Sequence, residues 1–266
     1  MKIAHYFTPK SFKYSGVHKD IPTNITDIHF SEDTFKTFDG HTPDASLKHH
    51  IKVVGLSDVT KIRQMLESYH IPSLIIEDVF NVSQRDKIEH FDDTLFVAMD
   101  VNYMKDRTFK KDYFTAILTD HVLFTFHETT PEYLTPLDTL VEKSDETRKR
   151  PIDYLFYELL DMITDMHLSV YEHLKREGLR LEDELLETKT VDQEKFYLIR
   201  KRLLALKNSV TPIYDELRRD VHKKTALIHP DTLPFFDDLI DHLARLESDL
   251  TESRELMRHL LDLHIN

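Results

Sequence analysis

From residue 232 to the end of the chain, apolar side chains return at steps of three and four: Phe236, Leu239, Leu243, Leu246, Leu250, Met257 and Leu260. That spacing predicts one apolar seam on a long helix, with acids and bases on the other faces. Ser253 interrupts the seam, and Leu256 and Leu261 widen it near its end. Asp231 or Thr232 can cap the start, and Pro234 sits in the first turn, where a missing N–H is tolerated. About 35 residues rising roughly 1.5 Å each predict a rod of about 50 Å. No Gly or Pro stop signal follows Leu263, so the helix reads as a stalk that continues beyond the last residue. The period from Phe236 to Leu260, close to 3.5 over more than three heptads, predicts that the seam is an oligomer contact as well as an intramolecular one.

Residues 1 to about 145 alternate short apolar runs of two periods. Strands are expected at Lys2–Thr8, Ile25–Phe30, Ile51–Gly55, Lys87–Phe91, Thr94–Tyr103, Tyr113–Thr119 and Val122–Phe126, the last two joined as a hairpin through Asp120-His121. Helices are expected at Asp58–Ser68, Pro72–Val79 and Thr130–Val141, the third opened by Thr130-Pro131. Ser31–Ser46 is polar and acidic and reads as loop or a short helix. Strands interleaved with helices argue for a layered α/β unit.

The texture changes at Arg150. Pro151 opens a helix that can run to about Thr188 on the stripe Leu155, Leu159, Ile163, Met166, Val170, Leu174. A second helix follows Thr190, capped by Thr190 or Asp192, with Pro212 inside it as a predicted kink. The expected organisation is a layered domain over 1–145, a long antiparallel helix pair over 146–228, and a stalk helix over 229–266. The fold class is therefore α+β or α/β: a three-layer α/β/α domain, then long antiparallel helices and a C-terminal stalk.

Composition narrows the function. The chain has 266 residues, four Gly, no Cys and a formal charge of −13. Without Cys there is neither a disulfide framework nor a thiolate metal site. The acidity argues against nucleic acid, which needs a basic face, and suits either solubility or attraction of cations. The N-terminus has no continuous apolar run of the signal-peptide kind. The longest stretch free of Asp, Glu, Lys and Arg is Ser68–Ile76, far short of the roughly 20 residues a membrane span needs.

No nucleophile elbow, phosphate loop, dinucleotide fingerprint or HExxH occurs, so the chain is not expected to be an enzyme. Most of the 17 His, among them His5, His18, His29, His70 and His90, stand singly and read as surface or packing residues. His49 and His50 are adjacent, so in a strand they point to opposite faces. Asp238 and His242 share a helix face at i, i+4, where an ordinary hydrogen-bonded pair is the commoner outcome. Two acidic spots stand out: Glu77-Asp78 after an apolar run, and Asp237, Asp238, Asp241 near the start of the long helix. Both suit a solvated surface. Both also suit magnesium, which prefers carboxylate oxygens, keeps several waters, and can bridge two acidic surfaces.

Residues 71–101 resemble the cytosolic domain of the CorA family of magnesium and cobalt transporters. The family pattern here is a helix ending in Glu-Asp, an Asn, then Gln-Arg-Pro-Lys-Val-Glu before a strand. The chain has Glu77, Asp78, Asn81, Gln84, Arg85, Lys87 and Glu89 in register, with Asp86 in place of the Pro. The similarity continues through Tyr154–Asp161, Lys207–Pro212, Leu233–His242 and Leu260–Leu263, while residues 1–45 match weakly. The family's pore signature, Tyr-Gly-Met-Asn, is absent from the sequence.

The resemblance implies a cytoplasmic, magnesium-sensing part of an inner-membrane channel that works as a homopentamer and meets the membrane only through helices after Asn266. It implies regulatory Mg2+ (Co2+ or Zn2+ as alternatives) between protomers, held by Asp78 of one and Asp238 of the next. It places Glu77 and Asp161 at an accessory site and Asp262 at the pore mouth. A zinc-transporting relative, a soluble metal-dependent enzyme and a helical adaptor are the competing readings. Residues 1–45 are expected to tolerate substitution better than residues 71–101.

Overall fold

The computed structural model describes residues 12–44, 46–91, 93–188, 192–223 and 227–265. Among the described residues, seven strands form one sheet: β1 (Asn24–Phe30), β2 (Phe35–Asp39), β3 (Lys48–Val54), β4 (Lys87–Phe91), β5 (Thr94–Lys105), β6 (Thr108–Leu118) and β7 (Val122–His127). Their order is β2-β1-β3-β7-β6-β5-β4. β3 pairs parallel with β7, while β1 pairs antiparallel with β2 and β3. The helices are α1 (Val59–Ser68), α2 (Ser73–Phe80), α3 (Thr135–Lys143), α4 (Asp145–Lys149), α5 (Ile152–Thr188), α6 (Gln193–Asp220) and α7 (Leu233–Ile265). The chain divides into two compact units. One takes the residues up to Arg85, His90–Ala98 and Tyr113–Ile152; the other takes Asp86–Glu89, Met99–Asp112 and Asp153 onward.

Strand alternation builds the layers of the first unit. On β3, Ile51 and Val53 join Ile25 of β1 in a buried cluster with Ile62, Met65 and Leu66 of α1 and Ile75, Ile76 and Phe80 of α2. The intervening residues face the other way. Lys52 pairs with Asp138 of α3, and Lys48 donates to the carbonyls of Arg148 and Arg150. Helices thus cover both faces of the sheet, the expected α/β/α layering. Gly55 ends β3 at φ +79°, where a Cβ would sit 2.5 Å from the Pro22 carbonyl oxygen; only glycine fits that turn.

In the second unit, α5, α6 and α7 pack side by side. Tyr157 meets Phe236 and Tyr171 meets Ser253, so α5 and α7 run parallel. Lys207 of α6 reaches Glu247 at 2.9 Å and His222 reaches Asp237 at 2.6 Å, so α6 runs antiparallel to α7. Asp192 caps α6 by accepting the N–H groups of Glu194 and Lys195, and the helix runs through Pro212. A polar knot lies within this unit. The Asn102 N–H donates to His167 Nε2 at 3.2 Å, and the Asn102 amide donates to Ser209 at 3.2 Å. Burial holds His167 down at about 4, keeping it the neutral acceptor this bond needs.

Several expectations shift. Ser31–Ser46 contains β2, whose residues are mostly exposed. Such an edge strand is held by pairing with β1 and has no apolar alternation to announce it. β5 and β6 extend to a two-residue turn, Asp106-Arg107, with φ of 48° and 61°. That is a type I′ hairpin built without the usual Gly. The helix expected from Thr130 begins as a 3-10 turn over Glu132–Leu134 before α3. The strand expected at Lys2–Thr8 and the cap expected at Thr190 lie outside the described residues. Within residues 1–45, β1 buries Ile25, Asp27, Ile28, His29 and Phe30.

The stalk seam is fully used inside the chain. Phe236, Leu239, Leu243, Leu246, Leu250, Met257 and Leu260 are all buried against the chain's own residues. The expectation that the seam also makes the oligomer contact is therefore corrected: an oligomer contact on α7 has to use its other faces. Leu246→Ala should cost about 2–5 kcal/mol by leaving a cavity, whereas Leu256→Ala, only half-buried, should cost distinctly less. Urea unfolding of the two variants checks this, and equal losses would count against the packing described.

Candidate metal centre

The acids singled out in the sequence fall on defined elements. Glu77 and Asp78 occupy the last turn of α2, Glu77 exposed and Asp78 half-buried. Their apolar neighbours Ile75, Ile76, Val79 and Phe80 are buried, which turns the acidic pair outward. The end of α2 is tied down by its own motif. The Asp78 carbonyl accepts the Asn81 N–H at 3.2 Å and the Gln84 side-chain amide at 2.8 Å, and Gln84 also donates to the Tyr113 hydroxyl at 2.9 Å. Asn81 and Gln84 therefore shape the turn that presents Asp78, satisfying a terminal carbonyl that the helix leaves open.

In the second unit, Asp161 of α5 and Asp238 of α7 come together on either side of His242. His242 Nδ1 lies 4.0 Å from an Asp161 oxygen and His242 Nε2 lies 3.8 Å from an Asp238 oxygen. The Asp238–His242 distance exceeds a hydrogen bond, so the close pair favoured for this spacing is replaced by a loose carboxylate–imidazole–carboxylate row. Burial raises the Asp161 carboxyl above its ordinary range and Asp165 adds to this, while His242 and a hydrogen bond from Tyr157 pull it back. The Tyr157 hydroxyl is pushed up in turn, by burial first and then by Asp161. A cation delivered here would relieve the mutual repulsion of these groups.

The approach of α7 to α5 is set at its start. Asp153, buried at the first turn of α5, accepts the His229 N–H at 2.7 Å. That bond anchors the segment leading into α7 and so the height of Asp238 along α5. Asp237 instead pairs with His222 at 2.6 Å on the surface, and Asp241 is exposed. Asp262 lies on α7 by its place in the helix.

The sequence reading missed one cluster. Asp27, His29 and His49, all buried, place three candidate ligand atoms within 4.8 Å of one another. The expected divergence of His49 and His50 is found: His49 faces Asp27, and His50 meets Thr125 on the opposite face. The signal that could have revealed the cluster is the i, i+2 spacing of Asp27 and His29 on a strand.

The comparisons with known proteins agree with this architecture. The family model described as "CorA-like Mg2+ transporter protein" matches residues 54–266. The chain belongs to the CorA-like Mg2+ transporter family. It is 25% identical over 97% of its length to the "Cobalt/magnesium transport protein CorA" of Thermotoga maritima, spanning 76% of that protein. It is 23% identical to the "Putative metal ion transporter YfjQ" of Bacillus subtilis over 77% of this chain and 64% of that one. The soluble domain of CorA from Methanocaldococcus jannaschii has the same fold, with a TM-score of 0.74 at 16% identity over 91% of this chain and 96% of that one. The cytoplasmic domain of ZntB from Vibrio parahaemolyticus aligns with a TM-score of 0.70 at 10% identity, covering 88% of this chain and 94% of that one. A transporter family, not an enzyme family, is what the chain joins, and this removes the enzyme reading. Among the described residues, no helix is long and apolar enough to cross a membrane.

Asp86, which stands where the family pattern has Pro, is buried and accepts the Asp100 N–H at 3.1 Å. Burial, reinforced by the Asp100 charge, lifts it from 3.8 to about 7. The folded state therefore binds a proton that the unfolded chain releases above pH 4. The resulting stability is complete below about pH 4 and is lost as pH rises through about 7, at up to roughly 1.4 kcal/mol per pH unit. Asp86→Asn should abolish this fall. Denaturant titrations of both proteins between pH 4 and 8 read it as a difference, and parallel pH profiles would contradict it.

Proposed function

We propose that this chain is the magnesium-sensing, cytoplasmic part of a CorA-type divalent-cation channel of the inner membrane. In this reading it assembles as a homopentamer around its stalk helices, which lead into the membrane region. Family membership supplies the transport class. The observation that carries the sensing role is the outward Glu77-Asp78 pair on α2, together with the Asp161–His242–Asp238 row on α5 and α7. Asp78 of one protomer and Asp238 of the next would hold a partly hydrated Mg2+, with Glu77 and Asp161 at the accessory site and Asp262 near the pore mouth. The transported ion is Mg2+ or Co2+, as the name of the Thermotoga relative suggests.

The physics of such a gate is linkage. Each chain carries a formal charge of −13, so apposed acidic faces repel. A divalent ion between carboxylates offsets the repulsion and holds neighbouring protomers together. Magnesium suits this position because it keeps much of its water and needs only one or two carboxylates. The ion can favour the closed ring only by as much as it binds that state better. Falling internal magnesium would then release the ring toward conduction.

A ligand that binds only the assembled form raises its stability by about 1.4 kcal/mol per site at ten times its dissociation constant. Millimolar Mg2+ should therefore raise the melting temperature of the oligomer, checked as such by sedimentation. Asp78→Ala combined with Asp238→Ala should remove most of that rise and slightly stabilise the metal-free protein. In the full-length channel the same pair should conduct even at high internal magnesium. A double variant that keeps the wild-type magnesium response, or a wild-type oligomer whose melting ignores magnesium, would sink the proposal.

A further inference from the structure

We propose that Asp27, His29 and His49 form a second, buried metal site, built for a transition-metal ion of the zinc or cobalt(II) class and distinct from the magnesium sites of the preceding reading. The three residues come from two paired strands. β1 and β3 are antiparallel with His29 opposite His49 and Asp27 opposite Ile51. Asp27, His29 and His49 therefore share one face, beside the apolar cluster of Ile25, Ile51 and Val53. Their exposures are 0%, 5% and 0%.

The hydrogen bonding calls for a positive charge at one position. His49 Nε2 lies 2.8 Å from the Asp44 carbonyl oxygen. A carbonyl can only accept, so Nε2 carries the hydrogen. In neutral His49, Nδ1 then has only a lone pair, and it is aimed at Asp27 Oδ1 3.0 Å away. Two lone pairs cannot face each other in a buried site without a positive charge between them. Asp27 Oδ2 meets His29 Nε2 at 2.9 Å on its other side. The charge is either an additional proton or a metal ion.

The donor set favours the metal. Two ligands bound at about 2.0–2.1 Å in a tetrahedral site lie about 3.3 Å apart. His29 Nε2 meets Asp27 Oδ2 at 2.9 Å and His49 Nδ1 meets Asp27 Oδ1 at 3.0 Å, and one ligand atom from each residue lies within 4.8 Å of the others, so side-chain rotations that spread these contacts would bring the three donors to that spacing. Two imidazoles and one carboxylate suit zinc, cobalt and nickel, whereas magnesium asks for oxygen ligands in an octahedron. The outer contacts are those of a metal histidine: the Asp44 carbonyl fixes the His49 tautomer, and the Thr42 N–H donates to Asp27 Oδ2 at 3.0 Å. A water would take the fourth position. The bound ion would join β1 and β3 to the Thr42–Asp44 segment.

Metal-free protein titrated with Co2+ should develop the visible bands of tetrahedral cobalt at one equivalent per chain. Zn2+ should abolish them, and millimolar Mg2+ should not. The same uptake is expected in the Asp78→Ala, Asp238→Ala background, so failure of the magnesium reading leaves this result untouched. His29→Gln should weaken Co2+ binding by more than the roughly 10–100-fold that loss of an outer contact costs. Nitrogen-15 spectra of the wild-type imidazoles give an answer without any variant: zinc should replace the proton on His49 Nδ1. Folded wild-type protein that takes up neither ion, or a zinc-loaded protein whose His49 Nδ1 still carries a proton, would overturn the site and leave a protonated histidine clamp in its place. So would a folded His29→Gln variant that binds Co2+ as the wild type does.

Discussion

The burial of one face of α7 is the constraint on which the second unit depends. Phe236, Leu239, Leu243 and Leu246 are covered by the chain's own residues, and their removal from water is the main term holding the helix in place. Once that face is fixed, the rotation of α7 is fixed with it. Asp237, Asp238 and Asp241 must then point away from the packed seam. Asp238 is delivered to the α5 side beside His242 and Asp161, while Asp237 is turned toward His222. The polar geometry of the candidate centre is thus a consequence of apolar packing, with the Asp153–His229 bond setting its position along the axis.

The two proposed sites would handle positive charge in chemically different ways. On the surface, carboxylates on α2, α5 and α7 would, in the proposed reading, offer oxygen to a hydrated ion, a weak and exchangeable mode suited to following a millimolar concentration. On the sheet, Asp27 with His29 and His49 presents nitrogen and oxygen in a buried cluster, where a charge is either matched or costly. The first mode responds to its surroundings because water competes for the ion. The second would add to the strand pairing that already joins β1 and β3.

Much of this was legible in the residues. The α7 seam, the long α5 and the helical spacing from Asp58 to Ser68 follow from periodicity within each segment, and the structure keeps them; of the two caps open for α6, Thr190 or Asp192, the structure uses Asp192. The family likeness rested on a collinear match from residues 71–101 through Leu260–Leu263, and the family model matches residues 54–266. β2 was not legible: its exposed, polar residues carry no pattern, and it is a strand only because β1 offers it an edge.

For the centres the division is sharper. The sequence alone determined that Glu77-Asp78 would end an apolar helix, that Asp238 and His242 would share a face, and that His49 and His50 would diverge, because each statement concerns one element and its period. Only the tertiary structure decided that Asp161 would stand beside His242, and that His29 would meet His49 across β1 and β3. Those meetings join residues 20 to 81 positions apart in the chain. They depend on strand register, where a one-residue slip would turn every side chain to the other face, and on the rotation at which a buried seam locks its helix. Neither quantity is written in the local spacing of any single segment.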